Sequence, residues 1–144
     1  MCGIAGVILK SGDADADMLD RLAAALAHRG PDGTGQFVDA EQGLAHTRLA
    51  IIDLETGDQP LTGAGGHVLI ANGEIYNYIE LRQEIGADAF QTKSDCEVAL
   101  PLLAEAGAKF GASLRGMYAI AAIEPDTGRA YLARDPFGDR KSVV

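Results

Sequence analysis

The run Met117-Tyr118-Ala119-Ile120-Ala121-Ala122-Ile123 is apolar on both alternations. Side chains of a strand point alternately to its two faces, so a strand of this kind needs cover on both sides. Layers must therefore stack above and below it. Further strand patterns surround it. Gly3 to Leu9 opens the chain as a buried strand, and Gln36-Phe37-Val38 pairs with Gly43 to Ile52 through Asp39-Ala40-Glu41-Gln42, a hairpin. His67 to Ala71 runs into Asn72-Gly73-Glu74, and Pro125-Asp126-Thr127-Gly128 turns the central strand back into Ala130 to Ala133. Three helical patterns lie between. Leu19, Leu22 and Leu26 recur at helical spacing, with Asp17 placed to cap the start and Gly30-Pro31 to stop the run. Asn77 with Glu80 is a capping-box signature for a helix over Tyr78 to Ile85, and Ser94 with Glu97 repeats it for a helix through Ala106. Pro101 inside that helix should cost about 3 kcal/mol or kink it. Together these patterns predict an α+β fold of four layers, with two antiparallel sheets covered by helices.

At 144 residues the chain fits one domain and can bury a full core without a covalent staple. Its 12 basic and 21 acidic residues give a net charge of -9, which repels phosphate backbones and anionic lipid surfaces. Nucleic acid and membranes are therefore not expected partners. A basic segment leading an apolar core is missing, as is an apolar run of about eighteen residues, so a cytoplasmic setting is expected. Cys2 and Cys96 make no disulfide framework and no Cys-x-x-Cys pair. Cys96 reads as a small apolar filler on a helix. His28, His46 and His67 show no metal-ligand spacing, so no metal site is expected.

The chemistry concentrates in polar groups set among apolar runs. Cys2 follows the initiator methionine directly; once Met1 is trimmed, one residue carries both a thiol and an α-amine of intrinsic pKa about 7.7–8.0. A nucleophile and its base then share a residue, the logic of an N-terminal nucleophile. Read without context, Cys2 is equally well a small residue at the start of a buried strand. Arg48 interrupts an apolar strand, so it either points to solvent or receives an anion. Asn72-Gly73 ahead of a helix exposes a side-chain amide and a backbone N–H together. Asp95 sits in the first turn of a helix, whose dipole favours an ionised carboxylate by a few tenths to about 1 kcal/mol. It is either an ordinary first-turn acid or a fixed anion. His28-Arg29-Gly30-Pro31-Asp32-Gly33 reads locally as a loop.

Taken in order, Met1 to Gly6, His28 to Gly33, His46 to Asp53, Asn72 to Asn77, Ser94 to Glu97 and Leu114 to Met117 resemble the glutamine amidotransferase domain that opens asparagine synthetases. This is the class II, N-terminal-nucleophile type, and the resemblance covers residues 1–138. Sister enzymes share the opening and the Ser-Asp element, whereas His-Arg-Gly-Pro-Asp, Arg-Leu-Ala-Ile-Ile-Asp and Asn-Gly-Glu-Ile-Tyr-Asn look like the asparagine synthetase branch. The resemblance implies the four-layer αββα sandwich of N-terminal-nucleophile hydrolases and the hydrolysis of glutamine to glutamate and ammonia. By the same resemblance Cys2 is the nucleophile, Asn72 and Gly73 donate to the oxyanion, Arg48 anchors the glutamine α-carboxylate and Asp95 its α-amino group. The backbone of Leu49, Ala50, Ile51 and Ile52, with Glu74, would complete the glutamine pocket.

Departures from the family pattern begin after Asp135-Pro136-Phe137-Gly138, where Asp139 to Val144 replaces the usual basic residue and Pro-Leu-Tyr. Residues 139–144 are therefore expected to be an atypical tail, with the ATP-using, aspartate-amidating half absent. The sequence has no Ser-Gly-Gly-x-Asp-Ser, Gly-x-x-x-x-Gly-Lys or Gly-x-Gly-x-x-Gly element, so no cofactor is expected on this chain; ATP and magnesium belong to the missing half. Three readings remain open: a glutaminase domain supplying a separate synthetase domain or subunit, a truncated remnant, and a non-catalytic glutamine-binding module. An uncovered apolar patch behind Asp135 to Gly138 would favour a partner or self-association.

Overall fold

A computed structural model describes residues 2–140; Met1 and the end of the expected tail, residues 141–144, lie outside them. The described elements run β1 (Gly3–Ile8), α1 (Ala16–Leu26), β2 (Gly33–Asp39), β3 (Gln42–Arg48), β4 (Leu61–Thr62), β5 (Val68–Ile75), α2 (Tyr78–Ile85), α3 (Ala99–Ala106), β6 (Gly116–Glu124) and β7 (Arg129–Arg134). Strands pair in two sheets, β1-β3-β2 and β4-β5-β6-β7, with antiparallel neighbours throughout.

The two-residue period of the strands separates three cores. Ala45 of β3 packs with Leu19 and Ala23 of α1. Its neighbour Leu44 faces the other way and packs with Val68, Ile70 and Ile123, which fill the space between the sheets. Leu69 and Ala71 of β5 and Ile120 and Ala122 of β6 then point away from that space, toward Leu100 and Leu103 of α3 and Leu81 of α2. The order of layers is α1, first sheet, second sheet, α2 with α3. The expected central strand, β6, lies between β5 and β7 and is covered on both faces. Each large aliphatic side chain buried this way contributes about 1.5–3 kcal/mol.

Local chemistry departs from expectation in several places. Asp15, not Asp17, caps α1, its carboxylate accepting from Met18 N at 2.6 Å. β1 is an edge strand and only partly buried, with Ile8 exposed. β3 stops at Arg48, so Leu49 to Ile52 form a loop, and β5 continues through Asn72-Gly73-Glu74 where its end was expected. Neither capping box forms. The Asn77 side chain instead spans to the start of β6, donating to Ser113 O at 3.0 Å and accepting from Arg115 N at 2.8 Å. Glu97 is buried and accepts from Gln91 N, Thr92 N and the Thr92 hydroxyl while pairing with Arg82 at 3.1 Å. Residues Asp95–Val98 form a 3-10 helix, and α3 begins only at Ala99. Pro101 therefore falls in the first turn of α3, where a missing N–H is tolerated. Leu132 and Phe137 are exposed at the chain's far end.

Gly30 marks the tightest crossing of loop and sheet: a Cβ there would lie 2.3 Å from the carbonyl oxygen of Thr47 and 2.6 Å from Arg48 N. Backbone cannot yield as a flexible side chain can. Gly30→Ala should lower the unfolding free energy by about 2 kcal/mol or more, measured by urea denaturation; an unchanged midpoint would contradict this packing.

Candidate active site

The space between the sheets is apolar at one end and polar at the other. Leu44, His46 and Arg48 share one face of β3, and Val68, Ile70, Asn72 and Glu74 share the facing side of β5, so each strand carries its polar residues to the same end. Ile4 pairs with His46 and Gly3 with Thr47, which brings Cys2 beside the end of β3. The Cys2 sulfur accepts from Leu49 N at 3.3 Å and lies 3.6 Å from Leu49 O. One cleft is lined by Cys2, His46, Arg48, Leu49, Ile51, Ile52, Asn72, Gly73, Glu74, Asp95 and Cys96, among others. Of the residues expected in a glutamine site, only Ala50 does not line it. Its N–H is turned to the Asp32 carboxylate, at 2.8 Å.

Strand geometry also explains the place of Gly73. β4 pairs with β5 only at Leu69 and Val68, so beyond that point one edge of β5 is open. The N–H groups of Ala71, Gly73 and Ile75 all point to this edge, because alternate residues of an antiparallel strand share an orientation. Gln59 Oε1 accepts from Ala71 N at 2.6 Å, and Asp95 Oδ2 accepts from Ile75 N at 2.7 Å. The N–H of Gly73 lies between these two, facing the cleft. A Cβ at Gly73 would meet Met117 O at 2.1 Å, so the strand pair closes tightly behind it. Asn72 is buried and its Oδ1 has no hydrogen-bond partner.

Arg48 is buried and held by its own following loop: its guanidinium donates to Ile52 O at 3.4 Å and to Asp53 O, and pairs with Asp58 at 2.7 Å. The Asp58 side chain is 82% exposed, so water competes for that pair. Asp53 in turn accepts from Thr56 N, the Thr56 hydroxyl and Lys93 N, tying this loop to the segment before Asp95. Burial raises the Asp95 pKa above the ordinary carboxylate value, and N–H donors including Ile75 offset part of that rise. Burial likewise pushes the Cys96 thiol well up, with the Asp95 charge adding to it, so Cys96 stays protonated. Among the described residues no cluster of three His, Cys, Asp or Glu has the geometry to hold a metal ion.

Sequence reasoning missed His46, Gln59, Asp53 and Asp58. The Asp53-x-x-Thr56 spacing is a readable turn signal, since Asp side chains bond backbone N–H groups further along the chain. His46 carries no such signal and depends on register alone. Its imidazole is buried and its pKa lowered to about 4, chiefly by desolvation, with the Arg48 charge acting in the same direction.

No described helix is long and apolar enough to cross a membrane. A profile of the glutamine amidotransferase domain matches residues 1–141. The chain is 38% identical over 143 residues to asparagine synthetase [glutamine-hydrolyzing] 2 of Bacillus subtilis, covering 96% of this chain and 19% of that protein. It is 40% identical over 146 residues to asparagine synthetase B [glutamine-hydrolyzing] of Escherichia coli, covering 96% of this chain and 26% of the relative. The chain thus spans only a fifth to a quarter of these relatives. Among solved structures, the glutamine phosphoribosylpyrophosphate amidotransferase of Bacillus subtilis superposes with a TM-score of 0.73 at 23% identity, over 96% of this chain and 38% of that one. That likeness supports the fold, a sandwich of two antiparallel sheets between helical layers.

A histidine neutral in the fold and protonated when unfolded destabilises the fold in acid. The contribution of neutral His46 is fully present above about pH 6.5 and is lost progressively as pH falls toward about 4, roughly 3 kcal/mol in all. His46→Gln should flatten the dependence of urea-unfolding free energy on pH across that window; parallel curves for the two proteins would remove His46 as its source.

Proposed function

The chain belongs to the glutamine amidotransferase domain family, and on that premise we propose that it hydrolyses glutamine to glutamate and ammonia through a thioester on Cys2. The observation that carries this reading is convergence: Cys2, Asn72, the open edge of β5 at Gly73, Arg48 and Asp95 line one cleft. Trimming of Met1 frees the α-amine of Cys2, which takes the thiol proton as sulfur attacks the carboxamide carbon. The Asn72 amide and Gly73 N–H donate to the oxygen as charge develops on it. The intermediate collapses with the amine returning its proton to the departing nitrogen, and ammonia leaves. Water then adds to the thioester, giving its proton to the amine. Collapse of this second intermediate releases glutamate and returns the thiol.

Recognition of the substrate falls to the two buried charges. Arg48 takes the α-carboxylate, for which a guanidinium offers paired donors, and exposed Asp58 gives way as its partner. Asp95 takes the α-ammonium; a carboxylate strained by burial gains most from a nearby cation. Leu49, Ile51, Ile52 and Glu74 complete the walls. A cytoplasmic setting suits this chemistry, because a reducing compartment keeps the Cys2 thiol free. We assign the ammonia, as in the names of the matched relatives, to asparagine formation by an aspartate-amidating synthetase segment or subunit. Exposed Leu132 and Phe137 give such a partner, or a second copy of this chain, an apolar place to dock.

Purified chain should begin at Cys2 by intact mass and yield equal glutamate and ammonia, with no asparagine from aspartate and ATP. Cys2→Ala should abolish turnover, and Asn72→Ala should lower it by about a hundredfold or more. Full activity of Cys2→Ala would refute the thioester; retention of Met1 with tight glutamine binding would favour a binding module. Glutamine derivatives blocked at either head-group charge should lose at least about a hundredfold in kcat/KM, since each leaves a buried partner unpaired. Equal turnover of N-acyl glutamine and glutamine would remove Asp95 from its role, and equal turnover of the α-amide would remove Arg48.

A further inference from the structure

The loop His28 to Gly33 reads from sequence as plain turn chemistry, yet it is fastened around the nucleophile. Arg29 N donates to Leu26 O at 2.8 Å, continuing the end of α1. Gly30 lies flat against the peptide between Thr47 and Arg48. Asp32 N donates to Arg48 O at 2.9 Å, and its carboxylate accepts from Ala50 N at 2.8 Å. Backbone bonds on both sides of Arg29 thus fix where its side chain starts. That side chain is half-buried and its Nε donates to the carbonyl oxygen of Cys2 at 3.3 Å.

We propose that Arg29 is a positioning residue for Cys2: it holds the carbonyl of the nucleophile and its fixed positive charge keeps the neighbouring α-amine in the proton-accepting form. The inference rests on the thioester reading above. Covalent geometry keeps the nitrogen and carbonyl oxygen of one residue close, so the guanidinium lies within about 7 Å of the freed amine. At that separation a like charge lowers the amine pKa by about 0.4 units at the dielectric of water, and by more where the cleft excludes water.

The other charges around Cys2 do not supply this effect. On β3, His46 is neutral and Arg48 is paired with Asp58. Glu74 on β5 and Asp95 on the 3-10 turn are acids lining the same cleft, which stabilise an ammonium and so oppose it, and Cys96 is protonated. Asp32 faces Ala50 N, and Asp17, Asp20 and Arg21 of α1 and His28 after it are exposed. Arg29 is the cation that contacts Cys2 directly among the described residues, and its removal leaves the amine facing acids.

The test compares Arg29→Gln, Arg29→Lys and the unmodified chain, with kcat/KM for glutamine followed over roughly pH 5 to 9, where the acid limb reports the free enzyme's base. Arg29→Gln should move that limb up by about half a pH unit, because the ammonium loses its repulsive neighbour. Arg29→Lys should leave the limb in place and lower kcat, since the charge remains without the fork that holds the carbonyl. The limb is read from the folded fraction, so partial loss of folded protein does not obscure it. An acid limb unchanged in Arg29→Gln would overturn the proposal, as would equal shifts in both variants. Cys2→Ala serves as the control: if it still hydrolyses glutamine, the thioester reading fails, whereas an inactive Cys2→Ala with an unmoved Arg29→Gln limb sinks only the role of Arg29.

Discussion

The register between β1 and β3 is the constraint on which the site depends. Gly3 lies opposite Thr47, and the pairing is locked by a hydroxyl: Thr47 Oγ1 accepts from Gly3 N at 3.1 Å and donates to Leu26 O at 3.1 Å. The Thr47 side chain is fully buried on the α1 side, so its neighbours His46 and Arg48 face the space between the sheets. A slip of one residue would turn Cys2 toward α1 and put Gly3 in the cleft. A Cβ at Gly3 would meet the Thr47 hydroxyl at 2.6 Å, so a larger residue there would push the strands apart. The smallness of the opening residues is thus a condition for where the sulfur sits.

Burial of polar groups then sets the character of the cleft. His46, Arg48, Asn72 and Asp95 are all buried, and each would be costly without a partner. Loop carbonyls of Ile52 and Asp53 serve Arg48, the N–H of Ile75 at the end of β5 serves Asp95, and the Gln59 side chain covers part of the open edge of β5. Asn72 Oδ1 stays without a partner. Donors held in such a buried place stabilise a developing oxyanion most strongly, and that is the role proposed for the Asn72 amide and the Gly73 N–H.

Layering and most elements could be read from the chain because they rest on periodicity. A run apolar on both alternations required two-sided cover, and β6 is the strand it described. Helix α2 follows its pattern from Tyr78 to Ile85. Caps were misread because Asn77 and Glu97 bind elsewhere, which no capping signature contains: the Glu97 carboxylate takes Thr92 and the Arg82 side chain, and Asn77 takes Ser113 O and Arg115 N. Of the cleft's lining, the residues inside short motifs were legible, since resemblance pointed to Cys2, Arg48, Asn72, Gly73 and Asp95 by position and all five line it. His46 and Gln59 were not, because their importance comes from alternation and loop closure in three dimensions. Ala50 was placed with its neighbours although the loop turns its N–H to Asp32.

The Asp53 carboxylate joins two stretches that are forty residues apart in sequence, the loop that supplies Arg48 with carbonyls and the strap that leads into Asp95. The hydrogen bonds from Thr56 and Lys93 outweigh burial and hold its pKa below the ordinary carboxylate value, so the link persists into mild acid. On the reading proposed above, a cation and an anion set on one braced frame would fix the spacing of a zwitterion's two charges, and the cleft wall would supply the third contact that tells one hand from the other. An amino acid of the opposite chirality would then present its side chain to the wrong wall once both charges were engaged. Stereochemical choice would then reside in a carboxylate that touches no part of the ligand.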